Sequence, residues 1–309
     1  MVGYGHSSVA EHAVLHLAVE NVSRLAIECL QSNRLASYTE KSTRYQTWQG
    51  DAFYIPEEIK DSPVEAIYRN TCEKLFSTYQ AILPNVEASI RAGCPQLEQE
   101  STSAWERRSR SQAIDVCRFL LPAASLPNVG ITINARALEH ALTKMLSHPL
   151  AEVRQMGEEI KCCATESVPT LLKYANADEY LNLVSSKFAA QPVDLSTTPL
   201  DWCQLVHTEA DCEKHIFAAA LYKEKDIAYT QALDWAEKLS QEEKVALAKV
   251  LLDPAKKHSI PARELEHNLF TFDILLDQGA YYEVKRHRMM TLTPQALTAR
   301  LGFVTPLAI

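Results

Sequence analysis

The feature that most constrains the fold is an internal similarity. Residues 10–45 read AEHAVLHLAVENVSRLAIECLQSNRLASYTEKSTRY and residues 265–300 read LEHNLFTFDILLDQGAYYEVKRHRMMTLTPQALTAR. Both follow one plan: Glu-His, a strand-like stretch, a helix, a basic triplet or its remnant, and an extended segment. A repeat of this kind fixes the expectation ahead of local propensity, because each copy implies the same supersecondary unit. The stretch 186–200, SKFAAQPVDLSTTPL, is polar, proline-containing and aperiodic and reads as a linker. The expected division is a first unit over 1–185, a linker over 186–200 and a second unit over 201–309.

Local pattern fills in this frame. A strand is predicted near 13–20, then a helix starting near Glu20 with Val22, Leu25, Ala26 and Cys29 at helical spacing and Asn21 or Ser23 as its cap. Residues 64–92 keep the helical period, with an interruption at Pro84 and a stop at Gly93. Amphipathic helices are predicted over 135–146 and 149–175, and further helices over 213–225, 228–239 and 241–252. The alternating apolar residues of 267–276 predict a strand, and a helix follows it.

Composition narrows the function. The 309 residues, 47% of them hydrophobic, suffice for about two domains. A formal charge of −8 argues against a general nucleic-acid or membrane-surface binder, so a phosphate-bearing ligand must be held by local arginines. The chain has no run of about 18 apolar residues, and MVGYGHSSVAEH lacks a signal pattern; a cytoplasmic protein is expected. The eight cysteines include no Cys-x-x-Cys and read as reduced thiols, mostly in the core. His12 and His16 are four apart, but HAVLHLAV is rich in strand formers and offers no evident third ligand, so no metal is expected.

The chemistry-bearing stretch is YTEKSTRY. If residues 40–44 are extended, Glu40, Ser42 and Arg44 fall on one face, where an acceptor, a hydroxyl and a guanidinium suit a nucleotide. The plainer reading is a polar strand edge carrying an Arg-Glu pair.

The order of motifs supports the sharper reading. GHSSVAEH (5–12), Arg34 followed after seven residues by Ser42 and then STRY, CRFLLP (117–122) and NARALEH (134–140) resemble the flavin-dependent thymidylate synthases. The resemblance covers roughly residues 3–180 as one copy lacking its first strand and helix, with 203–309 similar to the front of a second. It implies an α+β fold, an antiparallel sheet flanked by helices in two homologous units. It also implies reductive methylation of dUMP to dTMP, with FAD as cofactor, methylenetetrahydrofolate and NADPH as co-substrates, and a homo-oligomer as the working form. By motif, Glu40, Ser42, Arg44 and Arg118 correspond to dUMP contacts. His6, Ser8, Arg34, Asn134, Arg136, His140 and the triplet Arg286, His287 and Arg288 correspond to the flavin side.

The chain departs from the family pattern in both copies. Ser32 and Asn33 replace the first two members of the first triplet, and Met145 stands where the family places a pyrimidine-facing arginine; Lys144 is expected to face elsewhere. The second copy keeps Arg286-His287-Arg288 but has Pro294, Ala296 and Thr298 where Glu40, Ser42 and Arg44 stand in the first. Each copy thus keeps one half of a site, which suggests a hybrid of 286–288 with 40–44; the alternative is a second copy retained for packing. Three functions remain open: a synthase, a non-catalytic flavin or nucleotide binder, and a one-carbon transferase for another uracil-like acceptor. The chain is expected to be either a fragment or completed by partner subunits.

Overall fold

The computed structural model describes residues 7–48, 52–193, 201–253 and 258–306. It has an α+β architecture with two small antiparallel sheets. In chain order the first elements are β1 (Val14–Val19), α1 (Arg24–Gln31), β2 (Ala36–Glu40), α2 (Pro63–Gly93) and α3 (Thr102–Cys117). Next come β3 (Val129–Asn134), α4 (Ala135–Leu146), α5 (Ala151–Ser167) and α6 (Glu179–Ala189). The remaining elements are β4 (Cys203–Thr208), α7 (Cys212–Glu224), α8 (Tyr229–Glu237), α9 (Gln241–Leu252), β5 (Phe270–Ile274) and α10 (Gln278–Val284).

The chain divides into two compact units, Met1–Asp194 with Asp277–Ile309, and Leu195–Leu276. The sequence reading kept 201–309 together; in the structure 277–309 goes with the first unit. The reason lies in α10, whose side chains make charged and aromatic contacts with α1 and with the end of α3. The order β5–α10 does repeat the order β1–α1, and both helices begin at a side-chain cap, Ser23 accepting from the Ala26 amide and Asp277 from the Ala280 amide.

In the larger unit the sheet order is β1-β3-β2, antiparallel throughout, with Val14 opposite Asn134 and Ala36 opposite Ile133. Strand alternation sends Val129, Ile131 and Ile133 into the core with Leu15 and Val19. Ile27 and Leu30 of α1, Leu138, Leu142 and Met145 of α4, and Val153 and Met156 of α5 complete that core. Ala36, Tyr38 and Glu40 share the less exposed face of β2, the first of them in the core, and this directs Glu40 toward α1. A second cluster joins α2 and α3 through Phe76, Tyr79, Val86, Ala113 and Cys117.

Several local predictions are corrected. α2 runs unbroken through Pro84, because the lost backbone bond is outweighed by packing of Phe76, Tyr79 and Val86 against α3. The helix expected over 149–175 ends at Ser167, and α3, β3, α6 and β4 were not anticipated. α6 extends into the expected linker, of which 194–200 lie outside the described residues. Cys72 and Cys117 are buried, but Cys162 and Cys163 are exposed, against the expectation of core thiols.

The smaller unit pairs β4 with β5 and packs Phe217, Ala218, Ala232 and Ala236 into a core shared by α7 and α8, with Leu247 and Leu251 of α9 against it. Among the described residues, no helix is long and apolar enough to cross a membrane.

Candidate functional site

Segment 40–45 does not stay extended. β2 ends at Glu40 and the chain turns over 43–45, with the Ser42 hydroxyl accepting from the Arg44 amide at 3.1 Å. A serine side chain bonding two residues ahead offers the backbone an alternative to the strand, and the predicted common face of Glu40, Ser42 and Arg44 is lost. Glu40 is held by α1 instead: Arg24 Nη1 donates to Oε1 at 2.6 Å and Gln31 Nε2 donates to Oε2 at 2.9 Å. This ion pair is largely buried.

Arg44 turns to the end of α3. Its Nε and Nη2 donate to the two oxygens of Asp115 at 3.1 and 3.3 Å, a two-pronged contact. Arg118, at the α3 C-terminus, sets Nε 2.8 Å from the same Asp115 Oδ1. The Asp115 charge raises the Arg44 pKa, whereas burial pushes Arg118 below the usual arginine value, against the pull of Asp115 and Glu283. Two expected nucleotide contacts, Arg44 and Arg118, are therefore brought together around one carboxylate.

Glu283 of α10 completes the cluster. Its Oε1 lies 3.8 Å from both Arg44 Nη1 and Arg118 Nη1, and its Oε2 lies 3.2 Å from Arg286 Nη1. Arg286, expected on the flavin side, thus shares an anion with Arg44 and Arg118, expected on the nucleotide side. Arg118 Nη2 also donates to the Gly279 carbonyl at 3.4 Å. Close approach there depends on glycine, since a Cβ at 279 would stand 2.8 Å from Phe119 Cζ.

The flavin-side residues spread along a longer surface. Arg288 Nη1 donates to the Arg34 carbonyl at 3.1 Å, and Arg34 Nη2 donates to Thr291 Oγ1 at 3.2 Å. The Asn134 side chain accepts from the Ala137 amide at 2.8 Å and so caps α4. Arg136 pairs with Glu11, whereas Ser8, His140 and His287 are exposed. His6 lies outside the described residues. Arg136, His140 and Lys144 recur every fourth residue along α4 and hence share a face.

Lys144 is half-buried and its pKa is lowered, chiefly by burial and further by the like charge of Arg34, against the opposing effect of Cys29. Met145 is fully buried in the core. Ser32 Oγ donates to the Cys29 carbonyl and Asn33 Nδ2 to the Leu30 carbonyl, so both satisfy the end of α1. Sequence reasoning missed Arg24, Asp115, Lys285, Tyr282 and Glu283. Arg24 was findable as the cation one residue past the Ser23 cap; the others carry no motif and meet only through folding.

A separate hollow of about 450 Å³ is lined by Leu25, Tyr54, Tyr68, Cys72, Leu150 and Glu152 and includes none of the expected site residues. Among the described residues, no group of three or more His, Cys, Asp or Glu could hold a metal ion.

The comparisons with known proteins agree with the motif order. The family profile described as thymidylate synthase complementing protein matches residues 1–170. A UPF0159 protein of Chlamydia pneumoniae is 31% identical over 325 aligned positions, covering 98% of this chain and 61% of its own length. The chain thus spans about three fifths of that relative. A flavin-dependent thymidylate synthase of Clostridium tetani is 29% identical over 178 positions, covering 57% of this chain and 68% of its own. A solved flavin-dependent thymidylate synthase of Helicobacter pylori, complexed with FAD and dUMP, superposes loosely: TM-score 0.39, 19% identity, 56% of this chain and 78% of that one.

Proposed function

The chain belongs to the thymidylate synthase complementing protein family, and from that premise we propose that it binds FAD and dUMP and methylates dUMP reductively to dTMP, with methylenetetrahydrofolate as carbon donor and NADPH as reductant. The observation that carries this reading is the convergence of Arg44, Arg118 and Arg286 on a single carboxylate. Guanidiniums gathered at one point suit a phosphate ester, which they bind through charge-assisted bonds.

The donor set also fits FAD. Arg34 and Arg288 meet at one end of a basic stretch, and Lys144, whose pKa the Arg34 charge lowers, continues it along α4 with His140 and Arg136. Such a row suits a dinucleotide diphosphate, with Asn134 capping α4 at the Arg136 end. When bound, the flavin supplies the redox chemistry. The chain's own residues bind and orient: Arg44 and Arg118 hold the nucleotide phosphate, and Asp115 fixes both guanidiniums in advance, which is the preorganisation that makes electrostatic stabilisation effective. Lys144 supplies a cation next to buried Met145, whose thioether cannot stabilise charge on a pyrimidine oxygen.

One observation favours a second reading, a flavin and nucleotide binder without turnover. Ser32 and Asn33 replace a cation and an imidazole of the triplet, and both side chains are engaged in capping α1. Release of the C5 hydrogen of dUMP, measured with FAD, methylenetetrahydrofolate and NADPH present, separates the two. Release supports the synthase. Flavin absorbance on the protein with no release supports the binder, and absence of flavin binding rejects both.

A further inference from the structure

The carboxylate at the centre of the arginine cluster belongs to the chain itself. We propose that Glu283 is a resident anion that holds the place of a ligand phosphate on Arg44, Arg118 and Arg286, so that a nucleotide enters only when this side chain swings away. The inference rests on reading Arg44 and Arg118 as phosphate-side residues and adds a regulatory element to that site.

The two acids of the cluster are held differently. Asp115 lies 2.8–3.3 Å from the guanidiniums and makes two hydrogen bonds to Arg44. Glu283 Oε1 is buried, makes no hydrogen bond, and stands 3.8 Å from each of its two arginines. That distance lies beyond hydrogen-bond reach, so its attachment to Arg44 and Arg118 is coulombic only. An incoming phosphate oxygen forms charge-assisted bonds of about 2.7–2.9 Å to the same groups. Asp115 is therefore the fixed strut, and Glu283 the anion that yields.

Charge balance points the same way. With Glu283 in place, three guanidiniums face two carboxylates and one positive charge is left over. With Glu283 withdrawn two are left, which matches the roughly −2 charge of a phosphate monoester near neutral pH. Glu283 sits in the last turn of the seven-residue α10, and its side chain is 35% exposed, which leaves room for rotation toward solvent. A ligand that binds only the withdrawn state has its affinity reduced by the fraction of molecules in that state.

The test compares the full chain with Glu283→Ala and Glu283→Gln, using inorganic phosphate, dUMP and deoxyuridine as probes in calorimetric titration and thermal unfolding. Both variants are expected to bind phosphate and dUMP at least tenfold more tightly than the unaltered chain, with deoxyuridine affinity unchanged. Equal or weaker phosphate affinity in the variants overturns the proposal. Glu283→Gln keeps the side-chain volume and decides the outcome if truncation loosens α10. Tighter phosphate binding without dUMP binding in any form would reject the nucleotide function and leave the resident anion standing. Equal dUMP and phosphate binding in all forms would do the reverse.

Discussion

The guanidinium carbon of Arg24 lies 3.7 Å from the centre of the Tyr282 ring. Arg24 is almost fully buried and also pairs with Glu40, so one side chain ties α1 to the end of β2 and to α10. Lys285 Nζ approaches the same ring at 5.0 Å, so two cations lie against the Tyr282 ring. Cation–π contacts of this kind reach about 2 kcal/mol when desolvated. Tyr282→Leu keeps an apolar side chain but removes the quadrupole, and should raise amide exchange across 278–284 by a free-energy change of about 1–2 kcal/mol. Unchanged exchange there would mean that α10 is held by other contacts.

Glu40 is expected to act on stability more than on ligand binding. Glu40→Ala leaves Arg24 as a buried charge whose carboxylate is gone, and breaking a pair in this way costs about 3–5 kcal/mol. The urea midpoint of the variant reports that loss. A midpoint close to the original, combined with a collapse of dUMP affinity, would return Glu40 to the role its motif suggested.

Arg118 should matter most for nucleotide affinity. It is the least exposed guanidinium of the cluster, and Arg118→Ala is expected to weaken dUMP by about 2–4 kcal/mol because a desolvated phosphate would lose its cation. Calorimetric titration of dUMP against both proteins gives the difference. Equal affinities would assign Arg118 to a structural ion pair with Asp115.

Glu152 gives the fold a pH dependence. Its carboxyl is buried, accepts from the Ser23 amide and hydroxyl, and has its pKa raised by burial in spite of those bonds. A carboxyl raised in the folded state contributes stability that is full below the unfolded value of about 4.3 and is lost as pH rises through the folded value. Relative to Glu152→Gln, the unaltered chain should therefore lose stability between pH 4 and neutrality. A stability difference that stays flat over that range would show that the group titrates alike in both states.

Gly279 permits the seating of α10. Gly279→Ala would drive a methyl group against Phe119 Cζ at 2.8 Å and is expected to cost about 1–3 kcal/mol, read as a lower unfolding midpoint. Phosphate affinity should change as well, because Glu283 is carried on the same helix.

Part of this molecule was determined locally, and that part was legible in the sequence. β1, α1, α4, α7, α8, α9, β5 and α10 follow from periodicity and caps, because each needs only its own side-chain spacing to choose a face. The ordered motifs carried the family, which the profile match bears out. Tertiary structure decided the rest. The turn at Ser42 diverted Arg44 to Asp115, and the buried Arg24 claimed Glu40, so alternation along 40–44 misled. Nothing in YYEVKRHR reveals that Glu283 meets Arg44 and Arg118. Those partners lie more than 100 residues apart, and long-range charge pairing is set by how helices dock rather than by any local period. The placement of 277–309 with the first unit has the same origin: aromatic and ionic contacts of α10 with α1 and the end of α3 outweigh its sequence continuity with β5.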